Sequence, residues 1–467
     1  MSWIERRLIN RDYARLWYGQ AVSTVGDMVF DTTLVLWVAT VLAKGKTWAP
    51  AAVSGILLTV GLAVLVVGPL AGVFVDRWHR ITTMLRTEVI RAMLVGLLTV
   101  LAFIPTHDLP TGAWLTIIYV VVFGVNVAEQ FFNPSRFATI GEVVSGDVDR
   151  AKAAGIGQAT QAVAAIIGPP IAAPLLFTIG FQWALLVNAL SYVVSYVAIR
   201  SIRADVAPPP PASERASFVR EFVAGLKMFG GNRFLVALLT AAVIAQLGTG
   251  AMNTLDVFFV TDNLHSNARL LGFMSMAFGV GAIIGALTAS MVVKLINARR
   301  TSWLGLLLGG LFVLLFARQT AFWAGAVTFF LLAVPVTMLN TSIAPLLLNS
   351  APREYLGRVI AVFNPINQAA SMISIVVAGW LASTALLHFH ADIAGLHMGR
   401  IDLIFSIAGV LIVASGIYAA IAFPPAETTA PPSGGLAADE SAEVAEIGPA
   451  AIPGQPVTEP IIDPTPT

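Results

Sequence analysis

The chain has 467 residues, of which 57% are hydrophobic and 11% are charged, and its formal net charge is +1. A soluble globular domain carries roughly 25% charged residues, so this composition excludes a water-soluble protein, and a mean hydropathy of +0.82 indicates a membrane protein. The near-neutral charge gives no indication of nucleic-acid binding, and the absence of cysteine excludes disulfides, thiolate metal sites and cysteine nucleophiles.

Apolar segments long enough to cross a bilayer recur along the whole chain. A membrane-spanning helix needs about 20 apolar residues. The predicted spans are 13–43, 49–75, 81–104, 113–140, 155–179, 181–202, 232–261, 270–296, 302–317, 321–350, 359–387 and 401–423. Transmembrane strands would show alternating segments of about ten residues, and the sequence has none. We therefore predict an all-α polytopic membrane protein with twelve transmembrane helices in two pseudo-symmetric six-helix halves.

Lysine and arginine are distributed unevenly between alternate loops. If the N-terminus is cytoplasmic, 20 of the 27 lie in inside segments and five lie in outside loops, with Arg91 and Arg136 inside spans. An excess of positive charge on the cytoplasmic side is the usual orientation signal. The sequence thus predicts that the N- and C-termini are both cytoplasmic.

Composition also divides the chain. The predicted parts are an N-terminal half, a cytoplasmic linker, a C-terminal half and a disordered cytoplasmic tail, at 1–202, 203–231, 232–423 and 424–467. The linker contains the run Pro208–Pro211, which is typical of a semi-rigid connection. The tail is rich in Pro, Ala and Glu and lacks Lys and Arg. The Asn10-Arg11 pair recurs as Asn232-Arg233 at the first helix of the second half, in agreement with two repeats.

Ionisable residues inside spans are costly and are candidates for function. Asp27 and Asp31 lie one turn apart on one face of the first helix. Two close carboxylates in a medium of low dielectric constant do not both ionise easily, so one is expected to hold a proton, as a proton-coupled antiporter requires. Glu129 and Arg136 share a face of the fourth span and pair either with each other or with the first helix. Asp256 is their main counterpart in the second half.

Structural alternatives remain open for these residues: the Asp pair could cap packing contacts, and Arg136 could close the cytoplasmic end of its helix. Glu88 and Arg91, three residues apart, are predicted to neutralise each other. The sequence shows no nucleophile–base constellation, phosphate loop or metal-ligand spacing. It therefore predicts no enzyme activity, no ATP drive, no cofactor and no metal.

The loop between the second and third spans contains Gly72-Val-Phe-Val-Asp76-Arg77-Trp-His-Arg80. It resembles the Gly-x-x-x-Asp-Arg-x-Gly-Arg motif of the major facilitator superfamily, except that His79 replaces the second Gly. In this gating motif Gly72 would let a neighbouring helix approach closely.

The other motif residues have predicted partners. Asp76 would meet the N-terminus of a helix that starts near Gly357, and Arg80 would pair with Glu142 at the end of the fourth span. Alternatively, Arg77 and Arg80 simply anchor the loop on the positive side of the membrane.

A narrower resemblance concerns the drug/proton antiporter branch that includes macrolide-efflux and enterobactin-exporter-like proteins. It rests on three segments: the opening from Asn10 to Asp27, the run Phe131-Phe-Asn-Pro-Ser-Arg136, and Gly168-Pro169-Pro170 on the fifth span. The Gly that follows the Pro pair in the family is replaced by Ala172 and Ala173. In the second half, only Lys294 and Arg299-Arg300 remain of the Gly-x-x-x-Asp-Arg loop.

This resemblance implies a monomeric exporter of drugs or bulky amphipathic small molecules in a bacterial cytoplasmic (inner) membrane, working by proton antiport and alternating access. Its partners would be the substrate, protons and the lipid bilayer. One alternative is a proton-coupled importer or metabolite symporter on the same fold. A more remote one is an intramembrane enzyme or receptor, which would need clustered catalytic residues or a folded domain outside the membrane.

Overall fold

Long helices form most of the structure. The computed structural model describes residues 8–75, 77–203, 223, 226–227, 229–348, 356–393 and 396–423. The helices are α1 Arg11–Trp37, α2 Ala49–Leu62, α3 Gly68–Val75, α4 Arg80–Leu101, α5 Thr111–Val143, α6 Asp147–Pro174, α7 Phe181–Arg200, α8 Arg233–Phe258, α9 Leu271–Phe316, α10 Phe322–Leu348, α11 Leu356–Trp380 and α12 Arg400–Ala422. The helical membrane fold predicted from the sequence is confirmed.

Ten helical segments within the described ranges are long and apolar enough to cross a membrane. One of them, Ala268–Phe316, has 49 residues and contains a break at Asn297 (φ 64°, ψ 161°), so it includes two of the predicted spans. The other difference is α4, whose 22 residues include Arg86, Glu88 and Arg91 and are less apolar for that reason. The total of twelve crossings stays a prediction.

Several helices continue into a π-helical turn, in which the backbone hydrogen bonds span five residues. One such turn, Ala63–Val67, joins α2 to α3. Four others extend α1, α6, α8 and α11, over Val38–Leu42, Leu175–Ile179, Phe259–Asn263 and Leu381–Ala385. Residues from three of these four turns line one cavity of about 1360 Å³, together with the loops 43–47 and 265–269.

A short antiparallel hairpin lies between α11 and α12, where the sequence analysis predicted only a loop. Strand β1 is Ala391–Ile393 and strand β2 is Leu396–Met398, with Ala391 opposite Met398 and Ile393 opposite Leu396. The predicted all-α fold class is confirmed, and this hairpin of three residues per strand is an addition in one connection.

Helices α1–α7 and helices α8–α12 meet mainly along two pairs, α2 with α11 and α6 with α9. Ser54 Oγ of α2 donates a hydrogen bond to the Ile375 carbonyl of α11 over 3.0 Å, and the amide of Ala51 donates to Ser383 Oγ over 3.0 Å. These contacts lie beside the four π-helical turns, and we call this end of the bundle the closed end.

Two glycines lie toward the opposite end of the bundle, Gly72 on α3 and Gly357 on α11. A Cβ atom placed on either glycine would meet no atom of the described residues within 4 Å. The described residues up to Phe423 belong to one compact unit. The predicted domain boundaries within this unit stay a prediction.

Candidate functional site

Asp27 of α1 is held by side chains from two other helices. Arg91 Nη2 of α4 lies 3.0 Å from Asp27 Oδ2, and the Tyr192 hydroxyl of α7 donates to Asp27 Oδ1 over 2.5 Å. The Arg91 guanidinium also lies over the Tyr192 ring, 4.3 Å from its centroid. The Arg91 side chain is 4% exposed and the Asp27 side chain 25%. Charge-assisted hydrogen bonds of this kind are strong, so they fix the carboxylate between α1, α4 and α7.

Glu88 lies deeper, with a side chain that is 0% exposed. Its Oε1 accepts a hydrogen bond from Ser195 Oγ over 2.6 Å, and Ser195 Oγ in turn accepts one from Gln20 Nε2 over 3.0 Å. Arg91 Nη1 is 3.9 Å from Glu88 Oε2, so Arg91 lies nearer to Asp27 than to Glu88. The predicted pairing of Glu88 with Arg91 is therefore present, and Arg91 also reaches across the helix interface to Asp27.

Arg136 of α5 contacts the first helix. Its Nη1 donates to Gln20 Oε1 over 3.3 Å, and its guanidinium lies 5.1 Å from the centroid of the Phe137 ring. Glu129 Oε1 instead accepts a hydrogen bond from Asn133 Nδ2 over 3.2 Å. Of the two pairings that the sequence left open, Arg136 makes the one with the first helix.

Asp31 differs from these residues because no hydrogen bond or ion pair within the described ranges holds its carboxylate. It is exposed and interacts electrostatically with Asp27, Glu129 and Arg91. Four carboxylates and two guanidinium groups thus lie together between α1, α4 and α5. We call this set the charge network: Asp27, Asp31, Glu88, Glu129, Arg91 and Arg136. An excess of negative charge inside a membrane is costly unless protons or a bound cation offset it.

Asp256 of α8 lies apart from the charge network. It lines a separate cavity of about 430 Å³ formed mainly by α8, α9 and α10, together with Ala165 of α6 and Ile412 of α12. Its Oδ1 atom is buried and has no hydrogen-bond partner among the residues that the structure describes.

The loop motif is only partly within the described residues, since Asp76 lies outside them. Arg80 forms an ion pair with Glu142 at the end of α5, as predicted, and Arg77 is exposed. No atom of the described residues lies within 4 Å of a Cβ placed on Gly72, and the close helix approach expected there stays a prediction.

Gly168, Pro169 and Pro170 lie where α6 packs against its neighbours. The Met28 side chain of α1 occupies the space next to Gly168, where a Cβ atom would project. On the other side, a Cβ placed on Gly272 of α9 would lie 2.6 Å from the Pro169 carbonyl oxygen and 2.8 Å from Pro170 Cα. This segment therefore belongs to the contact between α6 and α9 at the closed end.

Sequence reasoning missed Gln20, Tyr192 and Ser195. A sequence signal exists for Tyr192 and Ser195. Together with Asn188 and Ser191 they recur at helical spacing on one face of an otherwise apolar α7. A polar face on a membrane helix indicates polar partners inside the bundle.

Comparison with known proteins identifies the family. Residues 16–261 and 238–459 match the family model described as Major Facilitator Superfamily. The chain belongs to this superfamily. It is a multi-pass membrane protein from a family of transporters of small molecules, and it is not an enzyme.

Two relatives of this transporter are efflux proteins. Macrolide efflux protein A of Streptococcus pyogenes is 23% identical over 374 residues, which cover 79% of this chain and 88% of that protein. The multidrug efflux pump Tap of Mycolicibacterium fortuitum is 25% identical over 343 residues, covering 70% of this chain and 80% of the pump.

Solved structures agree with the fold. The nucleoside transporter NupG superposes with a TM-score of 0.68 at 10% identity, over 89% of this chain and 100% of that one. A bacterial homologue of the iron transporter ferroportin, in an inward-facing state, superposes with a TM-score of 0.67 at 12% identity, over 91% and 100%. At these identities the likeness concerns the fold alone.

Proposed function

We propose that this transporter exports bulky amphipathic small molecules by alternating access and is driven by proton antiport. Export is supported by relatives whose names describe efflux of macrolides and of multiple drugs. The observation that carries proton coupling is the charge network, in which four carboxylates face two guanidinium groups and Asp31 has no donor from the described residues.

The geometry divides the roles of the two aspartates. Asp27 accepts hydrogen bonds from Arg91 and Tyr192, so its carboxylate form has charged and neutral donors already in place. Asp31 has no such donor among the described residues and lies near the acids Asp27 and Glu129, so a bound proton would relieve the repulsion between these carboxylates. We therefore assign the exchanged proton to Asp31, with Asp27 and Glu129 setting how strongly it is held.

Alternating access requires that the closed end opens while the opposite end closes. The contacts of α2 with α11 and of α6 with α9 would separate at the closed end. At the other end, the Gly72–Arg80 loop would approach the start of α11 near Gly357, with Asp76 at the positive end of that helix. We propose that this loop, braced by the Arg80–Glu142 ion pair, acts as the gate on that side.

The test is transport by the purified protein in proteoliposomes with an imposed pH gradient. Uptake of ethidium or a macrolide and the lumenal pH are recorded together. Asp31→Asn is expected to reduce uphill, pH-driven transport to the level of empty liposomes. Downhill exchange of substrate should persist, because alternating access needs no net proton movement.

The matched control is Asp108→Asn, since Asp108 is a half-exposed acid in a loop away from the charge network. It should transport like the wild type. If Asp31→Asn still moves protons against substrate at the wild-type ratio, the coupling assignment is wrong. Everted vesicles with a pH gradient should accumulate the compounds if the protein is an exporter. If they release the compounds instead, the direction of transport is import.

A further inference from the structure

The cavity at Asp256 is built differently from the charge network. It measures about 430 Å³, within the range of roughly 300–1,000 Å³ that holds drug-sized ligands. Its walls are mainly apolar and aromatic, with Met252, Phe278 and Phe329 among them, and the amides of Gln246 and Asn340 supply polar groups. A mostly apolar cavity with a few convergent polar groups is the usual form of a small-molecule site.

Asp256 is the acid within this cavity, and it has no counter-charge. Its Oδ1 atom is buried without a hydrogen-bond partner, and no ion pair among the described residues includes it. An ionised carboxylate in apolar surroundings is very costly unless a proton or a cation meets it. The Asp256 carboxylate therefore needs a positive charge or a hydrogen-bond donor from a molecule in the cavity.

The aromatic rings of the cavity indicate what kind of cation would pair with Asp256. Phe278 and Phe329 both line the cavity, with centroids 5.0 Å apart and planes inclined at 44°. Phenyl rings attract cations through their negative faces and solvate apolar groups equally well. A small hydrated metal ion would gain little from them, whereas an organic cation with apolar substituents would contact rings and carboxylate together.

We propose that this cavity binds lipophilic organic cations, with the positively charged group at Asp256 and the apolar substituents against Phe278 and Phe329. This names the substrate class of the exporter and so rests on the proposed function. The charge network in α1–α7 then binds the exchanged proton, and the cavity at Asp256 binds the substrate.

The experiment measures equilibrium binding of radiolabelled tetraphenylphosphonium, a permanent lipophilic cation, to the purified full-length protein in detergent. Triphenylphosphine oxide serves as the neutral probe. Asp256→Asn, which keeps the shape of the side chain, should weaken binding of the cation roughly 10- to 100-fold, the loss expected for a hydrogen bond or contact to a charged group. Binding of the neutral probe should stay unchanged.

Two further variants keep the test falsifiable. Asp256→Glu retains the charge and should recover most of the affinity for tetraphenylphosphonium. Asp262→Asn removes an acid that lies six residues further along the same helical run and pairs with Arg400, so the affinity should equal that of the wild type. Thermal unfolding of each variant identifies any that fails to fold.

A cysteine reporter locates the site, because the chain has no native cysteine. Asn253 is exposed and lines the cavity, so Asn253→Cys should react with a maleimide, and tetraphenylphosphonium should slow that reaction. A cysteine at Ala154, which is exposed on α6 outside this cavity, should show no protection.

The outcomes separate this inference from the proposed function. Failure of the wild type to bind tetraphenylphosphonium, or equal loss of both probes in Asp256→Asn, overturns the cation site even if a neutral compound is exported. Selective binding by a protein that shows no pH-driven export supports the cation site and rejects the proton-coupled function.

Discussion

Replacing Arg91 with methionine tests whether the charge network holds the helices together. Arg91 is 4% exposed, lies 3.0 Å from Asp27 and 3.9 Å from Glu88, and stacks over Tyr192. Removal of one partner from a buried ion pair costs about 3–5 kcal/mol, since the remaining charge stays buried without compensation. A quarter of the Asp27 side chain is exposed, so we expect the lower part of this range in the free energy of unfolding.

The assay measures the free energy of unfolding in mixed micelles, where titration with a denaturing detergent unfolds the protein reversibly. Arg400→Met is the matched control, because its partner Asp262 has a side chain that is 43% exposed, and exposed pairs contribute about 1 kcal/mol or less. Adding Asp27→Asn and Glu88→Gln to Arg91→Met removes the buried charges together and should restore most of the stability. The reasoning is refuted if Arg91→Met costs no more than the control, or if the triple variant is no more stable than Arg91→Met alone.

Two other predictions follow from the contacts and the loop charges. Gly272→Ala should loosen the closed end, because the added Cβ would lie 2.6 Å from the Pro169 carbonyl oxygen. A cysteine at Asn253 should then react faster with an impermeant maleimide added outside intact cells. An unchanged reaction rate would contradict a seal at this contact. For orientation, a cysteine at Thr47 should be labelled in intact cells and one at Ala154 only after lysis; the reverse pattern would mean that the termini lie outside.

Much of the fold was predictable, because a membrane helix is defined by length and apolarity. The span predicted at 181–202 corresponds to α7 at 181–200, and the one at 401–423 to α12 at 400–422. The break at Asn297 separates the predicted spans 270–296 and 302–317. The hairpin at 391–398 was not predictable in the same way, since short strands in a loop depend on pairing with each other rather than on the bilayer.

The charged residues of the candidate site were predictable, whereas most of their polar partners were not. Asp27 and Asp31 were recognisable as charges inside a span. Helical spacing predicted that Arg91 pairs with Glu88, but it did not indicate that Arg91 lies nearer to Asp27 on another helix. Spacing along one helix reports neighbours on that helix, and it gives no information about which face of α4 or α7 meets α1. The gate role of the loop motif stays a prediction, because Asp76 lies outside the described residues.

The π-helical turns that extend α1, α6, α8 and α11 have a consequence for how these helices tolerate change. A π turn closes its hydrogen bond one residue further along the chain than an α turn does, so each of these segments holds one extra residue. Moving the turn by one position exchanges hydrogen-bond partners without reducing their number, and it rotates the residues that the turn passes about the helix axis. Losing one residue from Val38–Leu42 would leave α1 as an uninterrupted α-helix. The ends of these helices can therefore lose one residue, or reorient the residues within the turn, while the α-helix before the turn stays unchanged.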